Sequence, residues 1–317
     1  VKEASAPTET ATRPEPAGRA LLAAGCAALL YAVGLILAPL HLLSPAAFPL
    51  AVQRMRGSVG SAVMAALAAA ALVAISFAPG HAVVFLAMAA LPGLVLGEAM
   101  ARGRGLRRAT AWTLLLALLQ SATLLVFANG WIEKVMIGTW DAMWSPSQMQ
   151  RLRELGTAPE RVAELAEWAS WWRGVIEVVY PAIFIVLGAL MVLTNAWLLR
   201  TYLARRDPGW LEGGEFEGMR WPLGLAAAFI VCGAAVASPP LRPFAYNALL
   251  LLAFCFTLQG LAVVSYYARR LAPPPLMIAM VAAVLLAPYA LYILVFAGLF
   301  DIFIDFRKWA EPPVAEG

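Results

Sequence analysis

The chain is 317 residues long, 62% hydrophobic and 13% charged, with a net charge of +4 and a mean hydropathy of +0.78. A soluble domain carries roughly a quarter charged residues, and one water-soluble core could not hide this much apolar surface. The composition disfavours a soluble enzyme, a nucleic-acid binder and a secreted disulfide scaffold, and points to a protein whose solvent is lipid.

The first 19 residues are rich in Pro, Thr, Glu and Ala and read as a disordered tail. Runs long enough to cross a hydrocarbon core of about 30 Å then follow at 20–40, 59–77, 82–100, 110–128, 175–199, 221–237, 244–267 and 276–300. A ninth stretch, 42–52, is shorter and carries Pro45 and Pro49, so it reads as a broken crossing or a re-entrant piece. The expected fold is an all-α integral membrane protein: a polytopic helical bundle of eight or nine transmembrane segments. It forms one membrane domain over 20–309, with a short tail at 310–317.

Small residues recur every four positions in the first span, at Ala20, Ala24, Ala28 and Ala32, and again at Gly57, Ser61, Ala65 and Ala69. Such faces let helices approach closely, within the chain or against a partner subunit. Basic residues gather between alternate runs, at Arg54 and Arg56, Arg102 to Arg108, Arg200 to Arg206, and Arg269 and Arg270. With a cytoplasmic N-terminus and nine crossings, 15 of the 23 Lys and Arg fall on the cytoplasmic side of a bacterial inner membrane. That topology places the C-terminus outside.

Residues 131–173 leave the membrane on the outer face. Six of the 11 Trp lie there: Trp131, Trp140, Trp144, Trp168, Trp171 and Trp172. Helical spacing of Met149, Leu152 and Leu155, and of Val162, Leu165, Trp168 and Trp172, predicts two short amphipathic helices lying on the surface. Gly156 would end the first, and Thr157 with Glu160 would form a capping box opening the second. The insertion reads as an interfacial anchor ahead of a lid over a cavity.

Polar groups at membrane depth are costly and should face protein or a cavity. Gln120 sits mid-span, Gln259 lies deep in the 244–267 run, Asn195 is near an inner span end and Glu177 near an outer one. They either glue helices together or line a ligand-binding cavity. Asp301 and Asp305, four residues apart with Lys308 beyond, form either a membrane-exit helix or a carboxylate pair for a cation or partner. The ligand-binding candidates are therefore Gln120, Asn195, Gln259, Asp301 and Asp305.

His41 and His81 fall at outer span ends without carboxylate or thiolate partners nearby, so no metal site is expected. Cys26, Cys232 and Cys255 lie singly in apolar runs and read as packing residues. There is no Walker loop, HExxH or GxSxG, and no acid–base pair within a span. The expectation is no catalytic residue, no cofactor and no nucleic-acid partner.

Four stretches carry a family resemblance: Pro45-Ala46-Ala47-Phe48-Pro49 followed by Arg54, Arg56 and Gly57; Leu91-Pro92-Gly93-Leu94-Val95-Leu96-Gly97 leading to Arg102 and Arg104; Leu258-Gln259-Gly260-Leu261-Ala262-Val263-Val264 before Arg269 and Arg270; and Gly298-Leu299-Phe300-Asp301 with Asp305-Phe306-Arg307. In these the chain resembles the YybS-like family of uncharacterised bacterial membrane proteins, which implies a multi-pass membrane fold and no assigned chemistry. The first helix's small residues, and Gly57 and Gly60 after a Pro-containing segment, are more loosely similar to the S components of energy-coupling-factor transporters. That likeness implies a substrate-binding membrane subunit working with an ATPase and a transmembrane coupling subunit. A non-catalytic scaffold for envelope or division assembly is the alternative expectation.

Overall fold

The computed structural model describes residues 17–36, 44–210, 216–271 and 289–310, and these are helical with no strand among them. The helices are α1 (Ala17–Ile36), α2 (Ala47–Arg56), α3 (Val59–Ser76), α4 (Pro79–Phe85), α5 (Leu91–Ala101), α6 (Leu106–Phe127), α7 (Asn129–Met143), α8 (Pro146–Glu154), α9 (Pro159–Arg206), α10 (Leu223–Ala235), α11 (Arg242–Leu271) and α12 (Ala290–Ile304). Six segments are long and apolar enough to cross a membrane: α1, α3, α4 with α5, α6, α9 and α11. Two shorter apolar helices, α10 and α12, accompany them.

The chain divides into two compact units, Val1–Gln120 with Leu187–Gly213, and Ser121–Val186 with Gly214–Gly317. In the first unit, α1 and α3 pack through alanines: Ala24, Ala27, Ala65, Ala66 and Ala69 are buried together with Tyr31 and Phe85. The Ala20, Ala24, Ala28, Ala32 face is thus used inside the unit. Ala24 is buried, and Ala20 and Ala28 pack against the same core. Small residues let the two helices of one chain approach closely in this way. The outward faces keep Leu21, Leu22, Leu29, Leu115, Leu118 and Leu119 exposed, as lipid-facing helices require.

α2 is 10 residues long, about 15 Å at 1.5 Å per residue, half a hydrocarbon core. It crosses α5 at backbone contact. A Cβ on Gly93 would come within 2.5 Å of the Ala47 carbonyl oxygen, and one on Gly97 within 2.5 Å of the Ala51 oxygen. The four-residue spacing of both pairs keeps them on one face. Beyond the glycines, Arg54 bonds Glu98 at 2.5 Å and Arg102 bonds the other carboxylate oxygen at 2.6 Å.

α4 and α5 are joined by a π-helical turn, Leu86–Ala90, in which the Leu91 N–H bonds the Leu86 carbonyl five residues back. The next N–H in that register would come from residue 92, a proline, so the Ala87 carbonyl loses its backbone donor. Gln120 Nε2 fills the vacancy at 2.9 Å.

In the second unit, Pro181 lies inside α9 and has no N–H to give to its hydrogen-bond ladder. The Val178 carbonyl and the Ala182 N–H, four residues apart, would bond each other in an unbroken helix. Asn247 of α11 bonds both, donating to Val178 at 2.8 Å and accepting from Ala182 at 2.9 Å.

The outer insertion differs from its expected form. α8 ends as anticipated: Gly156 has φ +87°, and its N–H and that of Thr157 bond back to Arg153 and Leu152. The following helix starts at Pro159 and runs unbroken for 48 residues, about 72 Å. The expected second surface helix is therefore the N-terminal end of a helix long and apolar enough to cross a membrane. Gly174 alone lies between the amphipathic and apolar stretches, and it does not break a helix held on both sides. Neither Thr157 nor Glu160 makes the capping-box bond among the described residues; Thr157 is spent on the α8 terminus.

α12 also departs from the expected span. The apolar run at 276–300 is not one helix, because α12 starts at Ala290 after a turn at Tyr289; the run's earlier part lies outside the described residues. The far end of α12 lies beside Met219, Arg220 and Trp221, the approach to α10. The end of α12 and the start of α10, read from the sequence as opposite faces, share one end of this unit.

Candidate functional site

The polar residues separate by unit. In the first, Gln120 is committed to Ala87, and Asn195 donates to the Ser44 and Met191 carbonyls at 3.1 and 2.7 Å. Asn195 Oδ1 is buried without a partner among the described residues. It borders an apolar recess of Ala47, Pro92, Leu96, Thr113, Met191 and Val192 that has no room for a water molecule. His81 offers its backbone carbonyl to the Tyr31 hydroxyl at 3.4 Å; His41 lies outside the described residues. Gln120 and Gln259 belong to different units.

The second unit gathers the rest. Gln259, Asp301 and Arg307 are all buried, with side-chain exposure of 0% at Asp301 and 4% at Arg307. Gln259 Nε2 donates to Asp301 Oδ2 at 2.9 Å, and Gln259 Oε1 accepts from the Trp221 N–H at 3.0 Å. Asp301 Oδ1 accepts from the Phe306 N–H at 3.2 Å. Arg307 Nη2 lies 3.2 Å from Asp301 Oδ2 and donates to the Met219 carbonyl at 3.0 Å. Its Nε and Nη1 are buried with no partner among the described residues.

Local chain geometry builds this cluster. α12 ends at Asp305, the one non-glycine residue with positive φ among the described residues (φ 50°, ψ 68°). Asp tolerates the left-handed conformation better than most residues. The reversal folds the 3₁₀ turn Phe306–Ala310 back, bringing Arg307 beside Asp301 six residues earlier. Tyr267 and Tyr266 hold the turn through hydroxyl bonds to the Phe306 and Arg307 carbonyls. The helices meet at glycine: a Cβ on Gly260 would strike the Leu294 carbonyl, and one on Gly298 the Phe256 carbonyl.

Asp301 and Asp305 have different partners. Helix termination sends Asp305 outward to Arg220 and Lys308, the latter at 3.5 Å, while Asp301 points inward. Glu177 pairs with Arg173, which also bonds Asp141 at 2.9 Å. Arg307 entered the sequence reading only within the Asp305-Phe306-Arg307 stretch and not as a site residue; its one local signal is its place between Phe306 and Trp309.

The tryptophans form a ring chain between α7 and the N-terminal end of α9. Trp144 and Trp168 are 5.3 Å apart, Trp168 and Trp172 6.0 Å, and Trp171 and Trp172 5.0 Å. Trp140 Nε1 donates to the Ala169 carbonyl at 3.0 Å.

The chain matches the family described as "Predicted membrane protein (DUF2232)" over residues 25–302. This covers most of its length, and the chain belongs to that family of multi-pass membrane proteins of unknown function. No curated protein and no solved structure matches it.

Proposed function

We propose that this protein is a bacterial inner-membrane transport subunit that holds a small molecule at the Gln259–Asp301–Arg307 cluster and works with a separate ATPase. One observation carries the reading: a guanidinium is buried at the meeting of α11, α12 and the approach to α10, with two of its three nitrogens unmatched among the described residues. Buried charged donors without partners are expensive and mark sites where a ligand completes the bonding. The candidates of the first unit, Gln120 and Asn195, hold helices together in this reading.

The proposed topology has a cytoplasmic N-terminus. Ser44 bonds the Leu30 carbonyl at 3.0 Å, while Arg54 meets Glu98 at the other end of α2. α2 thus returns alongside α1, which supports a crossing by the segment that contains it; with the end of α12 on the same side as the N-terminus, the number of crossings is even, eight of the expected eight or nine. The basic ends of α2, α5 and α9 are placed in the cytoplasm. The end of α12 joins them, because it shares an end with the start of α10. The outer ends of α7 and α9, with α8, form the extracytoplasmic insertion, and its Trp rings sit at the interface.

Native mass spectrometry of gently purified protein tests this. A bound small molecule together with ATPase subunits supports the transport reading; neither present in either wild type or Asp301→Asn overturns it. The second reading, a scaffold for envelope assembly, is favoured by the full use of both Gln259 amide atoms inside the helix packing. Stoichiometric assembly proteins in the same spectra, without small molecule or ATPase, would select it.

A further inference from the structure

Resting on the site reading just given, we infer that the molecule bound at this cluster carries an oxyanion, a carboxylate or phosphate, anchored by Arg307. Two independent observations lead there. The first is the donor count. Nε and Nη1 of Arg307 carry three N–H bonds that meet no acceptor among the described residues, and the nearest carboxylate besides Asp301, that of Asp305, faces Lys308 at 3.5 Å and Arg220 instead. Both oxygens of Asp301 are occupied, by Gln259 and Arg307 on one side and by the Phe306 N–H on the other. The Met219 carbonyl is held by Nη2. What Arg307 lacks is an acceptor, and oxyanions are the acceptors a guanidinium takes most strongly.

The second observation is charge. The described side chains around the cluster are Arg220, Arg307 and Lys308 against Asp301 and Asp305. Three cations face two carboxylates, which leaves one positive charge. Asp305 answers Arg220 and Lys308, and Asp301 meets only one nitrogen of Arg307. A monoanion balances the group; a cationic ligand would add to the excess. Gln259 and the Phe306 N–H hold Asp301 in place, so the carboxylate cannot swing round to cover the open side of the guanidinium.

The oxyanion has two sources, a solute or a lipid headgroup phosphate, and the experiment separates them. Full-length protein in mild detergent is melted in sodium phosphate, in sodium acetate and in sodium chloride at matched ionic strength, and separately with short-chain phosphatidylglycerol. The expected result is a midpoint raised by about 2 °C or more over chloride. The rise should occur at about tenfold lower anion concentration in Asp301→Asn, where Arg307 has lost its carboxylate competitor. It should vanish in Arg307→Met. If that variant does not fold, Arg307→Lys keeps the charge without the planar donors and should show a weakened rise. A rise with phosphate or acetate assigns a solute; a rise with phosphatidylglycerol alone assigns a lipid.

No anion-specific rise in wild type or in Asp301→Asn overturns the inference. A neutral or cationic molecule that co-purifies with wild type and is lost with Arg307→Met also overturns it, and leaves the transport reading standing. An anion-specific rise in a preparation that never yields an ATPase partner removes the transport reading and keeps the anion site.

Discussion

Gln120 gives the Ala87 carbonyl the hydrogen bond that Pro92 cannot. The π-helical turn shifts the backbone register so that residue 92 would be the donor, and proline has none. A glutamine that looks like a cavity residue by position is thereby a repair to a neighbouring helix.

Substituting Gln120→Leu should cost about 0.6 kcal/mol, the average for hydrogen bonds between membrane helices, with about 1.7 as the upper end. Pro92→Ala restores a backbone N–H at the right place. The double variant should then lose less than the sum of the two single changes. Reversible unfolding in detergent measures the coupling, and strict additivity would mean that the two residues do not share the Ala87 carbonyl.

The α2–α5 crossing depends on Gly93 and Gly97. Gly97→Leu should lower stability by about 1–3 kcal/mol, the usual range for forced overpacking, because backbone and the Arg54 Cβ stand within 2.8 Å of the added carbon. Gly130→Ala and Gly138→Ala, where an added Cβ meets nothing within 4 Å, should melt close to wild type. Thermal midpoints in one detergent make the comparison, and equal losses at all these sites would refute the crossing.

Asn247→Leu removes the bridge beside Pro181 and strands the Ala182 N–H and Val178 carbonyl. The amide of Ala182 should exchange with solvent deuterium at least about tenfold faster, as local opening cheapens by about 1.4 kcal/mol. Asn247→Asp keeps the acceptor for Ala182 and should leave that amide's protection nearer wild type. Hydrogen exchange read by mass spectrometry distinguishes the two.

Topology is open to cysteine labelling. In a background without Cys26, Cys232 and Cys255, Arg104→Cys should react with an impermeant maleimide only after the membrane is opened. Ala158→Cys, on the exposed approach to α9, should react in intact spheroplasts. The reverse pattern would invert the proposed orientation.

Apolar length was readable in advance because bilayer thickness sets it directly, and α3, α6 and α11 fall where the hydropathy runs lie. Element breaks were less so. The composition change at Arg173 suggested an end to one helix, yet composition governs which solvent a helix meets, not whether its ladder continues. Pro288 and Tyr289 sit inside an apolar run, and the sequence offered no measure of where the ladder stops there. The candidate site was half legible. Gln259 and Asp301 stood out as polar groups among apolar ones, but Arg307 belongs with them only through a left-handed residue at Asp305 that turns the chain back. Gln120 and Asn195 stood out equally, and what distinguishes them is the neighbouring carbonyl each serves, which no local pattern encodes.

The ring chain from Trp144 through Trp168 and Trp172 to Trp171 makes the segment 131–173 an optical address. Over half of the protein's indoles lie in that segment, several close enough for their excited states to couple. Near-ultraviolet circular dichroism and emission from unlabelled protein will therefore report chiefly on this region. Quenching by lipids brominated at chosen depths can then place its height against the bilayer without introducing a probe.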